Sequence, residues 1–201
     1  MIAVVDYGMG NLRSVQKALE RVGAQAKLVE RPEELEAAEK LVLPGVGAFK
    51  DAMEGLRDRG LIGPILRHIR ESRPFLGICL GLQLLFTESM EDGLHDGLDV
   101  IHGRVVRFPE NHLKIPHMGW NRVSFKKDVP IARGMPEAPY MYFVHSYYVC
   151  PDDPSVTVAT TDYGSEFTSM VWKDNIFATQ FHPEKSQAYG LTLLRNFAGL
   201  C

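Results

Sequence analysis

Cysteine is scarce in this chain: Cys79, Cys150 and Cys201 are the three present, odd in number and far apart. That spacing excludes a disulfide framework or a cysteine zinc set, and the natural compartment is a reducing cytoplasm. Long apolar runs are missing as well. The longest, around Cys79, is too short and too interrupted to span a bilayer. No signal peptide is expected, because Met1-Ile2-Ala3-Val4-Val5 meets Asp6 and a glycine-rich turn at once. An excess of one charge is also lacking: 22 Lys and Arg against 25 Asp and Glu leave −3, which offers no basic field to nucleic acid or anionic lipid. The Lys126-Lys127 doublet reads as a solvated turn. With no repeat, low-complexity tract or linker, and with 45% hydrophobic residues, the 201 residues suit one core and a single domain over 1–201.

What is present is an alternation of short apolar runs and helical patterns. Residues 2–6 read as a buried strand and 11–22 as a helix with Leu12, Val15, Leu19 and Val22 on one face. Residues 24–29 give a second strand, 32–38 a short helix with Pro32 in its first turn, and 40–43 a third strand. Leu56, Leu61, Ile65, Leu66 and Ile69 have helical spacing up to Arg70. Strand alternating with helix implies a parallel sheet. Gly8-Met9-Gly10 fails as a dinucleotide-binding fingerprint, since its third glycine would fall at Arg13. After Phe86 the pattern changes: 88–97 reads as a polar loop. Strands are then expected at 99–108, 120–125, 140–149, 156–161, 167–172 and 176–181, before a closing helix at 186–198. The expectation is an α/β fold with a β-rich second half.

The chain is organised around residues 75–86. An apolar run over 75–78 follows Pro74, a helix is expected to start at Leu80 and reach Phe86, and Cys79 sits at the join between Gly77 and Gly81. Flanking glycines allow a sharp strand-to-helix turn that points one side chain out of the sheet end, beside a helix N-terminus that favours a thiolate. Read alone, Cys79 is equally a small buried apolar residue. Pro44-Gly45-Val46-Gly47 ends the third strand with backbone amides free to approach a developing negative charge, or is a loop with glycines for turn geometry. The strand at 176–181 leads into His182-Pro183-Glu184, and residues two apart on an extended segment share a face. A histidine oriented by a carboxylate is what a cysteine nucleophile needs.

The segments Gly77-Ile78-Cys79-Leu80-Gly81-Leu82-Gln83 and His182-Pro183-Glu184 resemble the signatures of the class I (triad) glutamine amidotransferases, and Pro44-Gly45-Val46-Gly47 falls where that family keeps its oxyanion strand. The likeness runs almost end to end and implies a flavodoxin-like α/β fold, with a mostly parallel central sheet flanked by helices and antiparallel strands added in the second half. Within the class, residues 116–121, residues 142–147 and the Pro-Gly-Val-Gly form resemble the glutaminase subunits of imidazole glycerol phosphate synthases, from histidine biosynthesis.

The resemblance implies Cys79, His182 and Glu184 as the catalytic set. It implies oxyanion donors at Leu80 and in Val46-Gly47, and glutamine held by Gly47, Gln83, Glu91, Ser146 and Tyr147. It also implies a partner, a (β/α)₈-barrel cyclase in a heterodimer, met by His117, Met118, Trp120, Asn121, Tyr142, His145 and Lys185. No cofactor is implied. A metal site is not expected either, because His112 and His117 have no cysteine or acid cluster to complete a ligand set. Three other readings stay open: a triad glutaminase feeding a purine, pyridoxal phosphate or anthranilate pathway, a Cys-His hydrolase of the peptidase or deglycase type on the same fold, and a scaffold subunit without turnover.

Overall fold

The computed structural model describes residues 1–109 and 113–200. Its first half alternates strand and helix: β1 (Ile2–Val5), α1 (Leu12–Arg21), β2 (Ala26–Val29), α2 (Pro32–Glu36), β3 (Lys40–Gly45), α3 (Phe49–Asp58), α4 (Ile62–Arg70) and β4 (Phe75–Cys79). A one-turn helix, α5 (Leu80–Gln83), leads to β5 (Phe86–Ser89), β6 (His95–Asp96) and β7 (Ile101–Arg107). The second half holds β8 (His117–Arg122), β9 (Ser124–Phe125), β10 (Tyr140–His145), β11 (Tyr147–Pro151), β12 (Thr157–Asp162), β13 (Glu166–Lys173), β14 (Ile176–Thr179) and α6 (Gln187–Ala198).

The main sheet runs β2-β1-β3-β4-β14-β13-β11-β7-β5-β6, with β12 branching from β13 and β9 paired to β12. Its first five strands are parallel, and β13 and β11 continue it antiparallel. The apolar runs of β1 and β4 are buried on both faces, as parallel strands covered by helices must be. Period two divides them between two cores. Ala3, Val5, Leu41, Leu43 and Phe75 pack with Met53 and Leu56 of α3 and with Ile65 of α4. Ile2, Val4, Val42, Leu76 and Ile78 pack with Val15 and Leu19 of α1 and with Leu193, Leu194 and Phe197 of α6. Outside this sheet, β8 and β10 form an antiparallel pair in which Tyr142 faces Trp120 and Val144 faces Met118.

Several expected elements differ. The helical spacing that ends at Arg70 spans two helices: Gly60 turns at φ +67°, and Leu61 N–H bonds Leu56 O at 2.9 Å, closing α3 before α4 starts. The helix expected to reach Phe86 stops after one turn, because the amides of Leu98, Asp99 and Val100 take the carbonyls of Leu84, Phe86 and Leu85. Residues 88–97, expected as a loop, hold a short hairpin that pairs Glu88 with Asp96 and Ser89 with His95. The strand expected at 140–149 is two strands in two sheets, changing over at Ser146. Likewise 120–125 divides into β8, which begins at His117, and β9. No helix among the described residues is long and apolar enough to cross a membrane.

Candidate functional site

Cys79 ends β4 at φ 55° and ψ −106°, strained values for a residue with a side chain. The turn can be this tight because a Cβ at Gly81 would strike the Leu43 carbonyl oxygen, and one at Gly77 would come within 2.7 Å of the Gly81 carbonyl. Register does the rest. Gly45 of β3 lies beside Cys79, and Thr179 of β14 lies beside Ile78, so the chain beyond Thr179 emerges at the same sheet end. There His182 caps a short turn over Pro183–Lys185, and its Nδ1 meets Glu184 Oε1 at 2.8 Å with the two side chains 2% and 1% exposed. The turn is tied to β10: His182 N–H donates to Tyr142 O at 2.9 Å, and Ser186 Oγ bonds both His182 O and Tyr142 N–H.

Burial alone would lower the pKa of His182. The charge on Cys79 and contact with its sulfur, joined by the Glu184 carboxylate, outweigh that and raise it to about 10. With Nδ1 committed to Glu184, Nε2 is the nitrogen left for the thiol. The three side chains place a cysteine sulfur, an imidazole and a carboxylate that orients it in one row, the residue types a cysteine nucleophile needs.

A cavity of about 250 Å³ opens on Cys79, and Val46, Gly47, Leu80, Gln83, Glu91, Ser146 and Tyr147 line it, joined by Pro116, Val144 and His145. The structure thus gathers the residues expected for glutamine and for the oxyanion around one space. Gly47 adopts φ +100°, where a Cβ would press to 2.6 Å from Met9 Cε. Glu91 Oε2 accepts the Phe49 amide at 2.7 Å. Burial raises the Glu91 pKa against that bond, helped by Asp92 and Asp51. The Tyr147 phenol is pushed up by burial and then by the charge of Glu91. A larger groove of about 790 Å³, between Phe125 and Trp172, contains none of these residues.

The seven residues expected at a partner surface divide by face. Met118 and Trp120 are 62% and 46% exposed on the outer side of the β8–β10 pair. There Trp120 packs edge-on to Tyr142 at 6.1 Å, and Lys185 Nζ lies 5.7 Å over the Tyr142 ring. His117 and His145 point the other way into the core, bonded to each other at 2.9 Å, and Asn121 bonds His117 from the strand edge. Burial lowers His117 to about 4 and His145 to about 3. As side chains, these two histidines therefore present no surface of the free chain. His112 and Cys201 lie outside the described residues, among which no group of three or more His, Cys, Asp or Glu could hold a metal.

Sequence reasoning passed over two residues at this site. Gln180 is fully buried, and its Nε2 lies 3.6 Å from Cys79 Sγ. Strand alternation carried a signal for it, since Gln180 stands two residues before His182 in a mostly apolar run. Tyr7, two residues past the end of β1, donates its hydroxyl to Pro44 O at 3.0 Å, and burial with the nearby charge of Cys79 raises its phenol pKa.

Comparison with known proteins gives the family. The family model described as glutamine amidotransferase class-I matches residues 3–199. The chain is 57% identical to a Syntrophotalea carbinolica protein named imidazole glycerol phosphate synthase subunit HisH, over all of both chains. It is 58% identical to a Geobacter sulfurreducens protein of that name over 98% of this chain and 97% of that one. An Aquifex aeolicus protein of the same name is 54% identical over 96% and 94%. Among solved structures, one described as a glutamine amidotransferase superposes with a TM-score of 0.78 at 21% identity, covering 100% of both chains. The PurLQS structure from Thermotoga maritima gives 0.75 at 19%, covering 98% and 96%, and these two show the fold alone. On the family match and the full-length relatives, the chain belongs to the class-I glutamine amidotransferase family.

Proposed function

We propose that this chain is the glutaminase subunit of an imidazole glycerol phosphate synthase in histidine biosynthesis, with Cys79 as nucleophile and His182, held by Glu184, as general acid and base. The observation that carries the chemistry is the pairing of β4 with β14, which sets the buried His182–Glu184 pair at the same sheet end as Cys79, itself open to a cavity lined by Gly47, Gln83, Glu91, Ser146 and Tyr147. The names of the full-length relatives support the pathway.

The Cys79 thiolate bonds to the side-chain amide carbon of glutamine, and the carbonyl electron pair moves onto oxygen. His182 gives its proton to the amide nitrogen, the C–N bond breaks, and ammonia leaves a glutamyl thioester. Water then gives its proton to His182 and its oxygen to the thioester carbon. The C–S bond breaks, returning the thiolate and releasing glutamate. The oxyanion is held by Leu80 N–H, the first amide of α5, and by an amide of Val46-Gly47 once that peptide turns inward. Each such donor is worth about 10²–10³ in rate. Glu91 pairs with the α-ammonium, and backbone amides at Ser146 and Tyr147 receive the α-carboxylate.

Ammonia freed into water is protonated and loses its nucleophilicity, so it passes directly to a partner. That partner is a (β/α)₈-barrel cyclase, seated as a heterodimer on the outer face of β8 and β10, with Trp120 and Tyr142 as anchors. The compartment is the cytoplasm, and the whole chain acts as one domain. The test is glutamate release from glutamine by the chain alone, then with the cyclase and a ligand in the cyclase site. Little release alone, a large rise with both and loss in Cys79→Ala support the reading. Turnover undiminished in Cys79→Ala overturns the nucleophile, and silence under every condition returns the scaffold.

A further inference from the structure

A chain of polar side chains runs between Cys79 and β8, and each of its protons has one available position. The Tyr147 carbonyl fixes the order, because it can only accept, and Gln83 Nε2 at 3.1 Å and His145 Nδ1 at 2.7 Å both reach it. On one side, the Gln83 amide is thereby set with nitrogen toward Tyr147, and the same nitrogen donates to Gln180 Oε1 at 3.1 Å. Its oxygen committed, Gln180 presents Nε2 to Cys79 Sγ at 3.6 Å. On the other side, neutral His145 carries its proton on Nδ1 and accepts at Nε2 from His117 Nδ1 at 2.9 Å. His117 Nε2 then accepts from Asn121 Nδ2 at 3.2 Å, and Asn121 is itself anchored by a 2.8 Å bond to Asp162 O.

We propose that Gln180 is a further catalytic residue whose amide N–H donates to the Cys79 sulfur, favours the thiolate and aims it. Gln83, itself oriented by the Tyr147 carbonyl, is then the positioning residue that keeps that N–H turned toward sulfur. The proposal rests on Cys79 being the nucleophile. A hydrogen bond is stronger to a charged acceptor than to a neutral one, so this donor stabilises the thiolate more than the thiol. Burial of Gln180 in the core keeps water from replacing it. The titratable groups that face Cys79 are His182, backed by Glu184, and Tyr7, while His145 acts at one remove through His182.

The experiment is the rate of Cys79 alkylation by iodoacetamide against pH, beside kcat and KM for glutamine measured with the cyclase and a ligand in the cyclase site, in the unaltered chain, Gln180→Glu and Gln180→Met. Gln180→Met removes the donor without adding charge and is the decisive variant, whereas an ionised Gln180→Glu still accepts from Gln83 and adds its own negative charge to the loss of the donor. The expected result is a midpoint for alkylation raised by about one pH unit and kcat lowered about tenfold, with KM little changed. Should a variant at Gln180 fail to fold, Gln83→Met, which removes the donor that holds the Gln180 oxygen and so frees that amide to turn over, gives a smaller shift in the same direction. An unchanged midpoint in every folded variant overturns the proposal while leaving the nucleophile in place. Glutamine turnover that survives Cys79→Ala instead removes the nucleophile reading and Gln180 with it.

Discussion

Ile78 and Thr179 are register partners in adjacent parallel strands, so the residue after one and the turn after the other leave the sheet side by side. This pairing brings Cys79 to His182 across about half of the chain. It also explains why β14, late in the sequence, lies at the centre of the sheet: β4 needs a neighbour on the side away from β3.

Cys79 holds a backbone conformation that only glycine adopts without strain, at a cost of order 1–3 kcal/mol. Cys79→Gly and Cys79→Ala are both expected to abolish glutamine hydrolysis. Thermal melts separate them: the glycine variant is the more stable by about 1 kcal/mol, since alanine keeps the Cβ at φ 55°. Equal melting temperatures would show that the turn is unstrained.

Burial pulls the His182 pKa down, but Cys79 and Glu184 hold it near 10, well above the unfolded value of about 6.5. The stability this pairing contributes is full below pH 6.5 and is lost as pH rises toward 10. Glu184→Gln removes one of the raising charges, so NMR titration places His182 lower and the alkaline loss of stability starts at lower pH. The same variant lowers kcat by about 10² or more, as expected when a general base loses its orienting partner.

His68, His117 and His145 behave in the opposite sense. Burial lowers them to about 4, 4 and 3, below the unfolded value, so their contribution is complete above about pH 6.5 and falls away as pH drops through those values. Chemical denaturation between pH 7 and 3 should show a steep acid limb, and His117→Gln should flatten it. An acid limb of unchanged slope would remove these histidines from the cause.

Trp120 and Met118 are exposed on the outer face of β8, where truncation leaves the core intact. Trp120→Ala is expected to weaken the cyclase complex by about 2 kcal/mol, roughly 30-fold in Kd, at unchanged melting temperature. Calorimetric titration with the cyclase checks this, and an unaltered Kd would move the interface elsewhere.

The sequence made legible what local pattern controls. The apolar runs of β1 and β4, the spacing of α1 and α6, the glycines around Cys79 and the His182–Glu184 pair each depend on a few neighbouring residues. What it did not display depends on distant parts of the chain. The early end of α5 follows from carbonyls captured by residues 98–100. The change of sheet at Ser146 follows from β8 and β7 competing for one extended run. Gln180 has a meaning only once Gln83, nearly half the chain away, is seen to take its oxygen.

The measurement that bears most directly on the nucleophile is the mass of the chain after acid quench during turnover of saturating glutamine with the cyclase present. The expected result is a fraction carrying one glutamyl group, mapped to the Cys79 peptide and absent in Cys79→Ala. Glutamate release at an undiminished rate by Cys79→Ala, with no adduct on the unaltered chain, would contradict it.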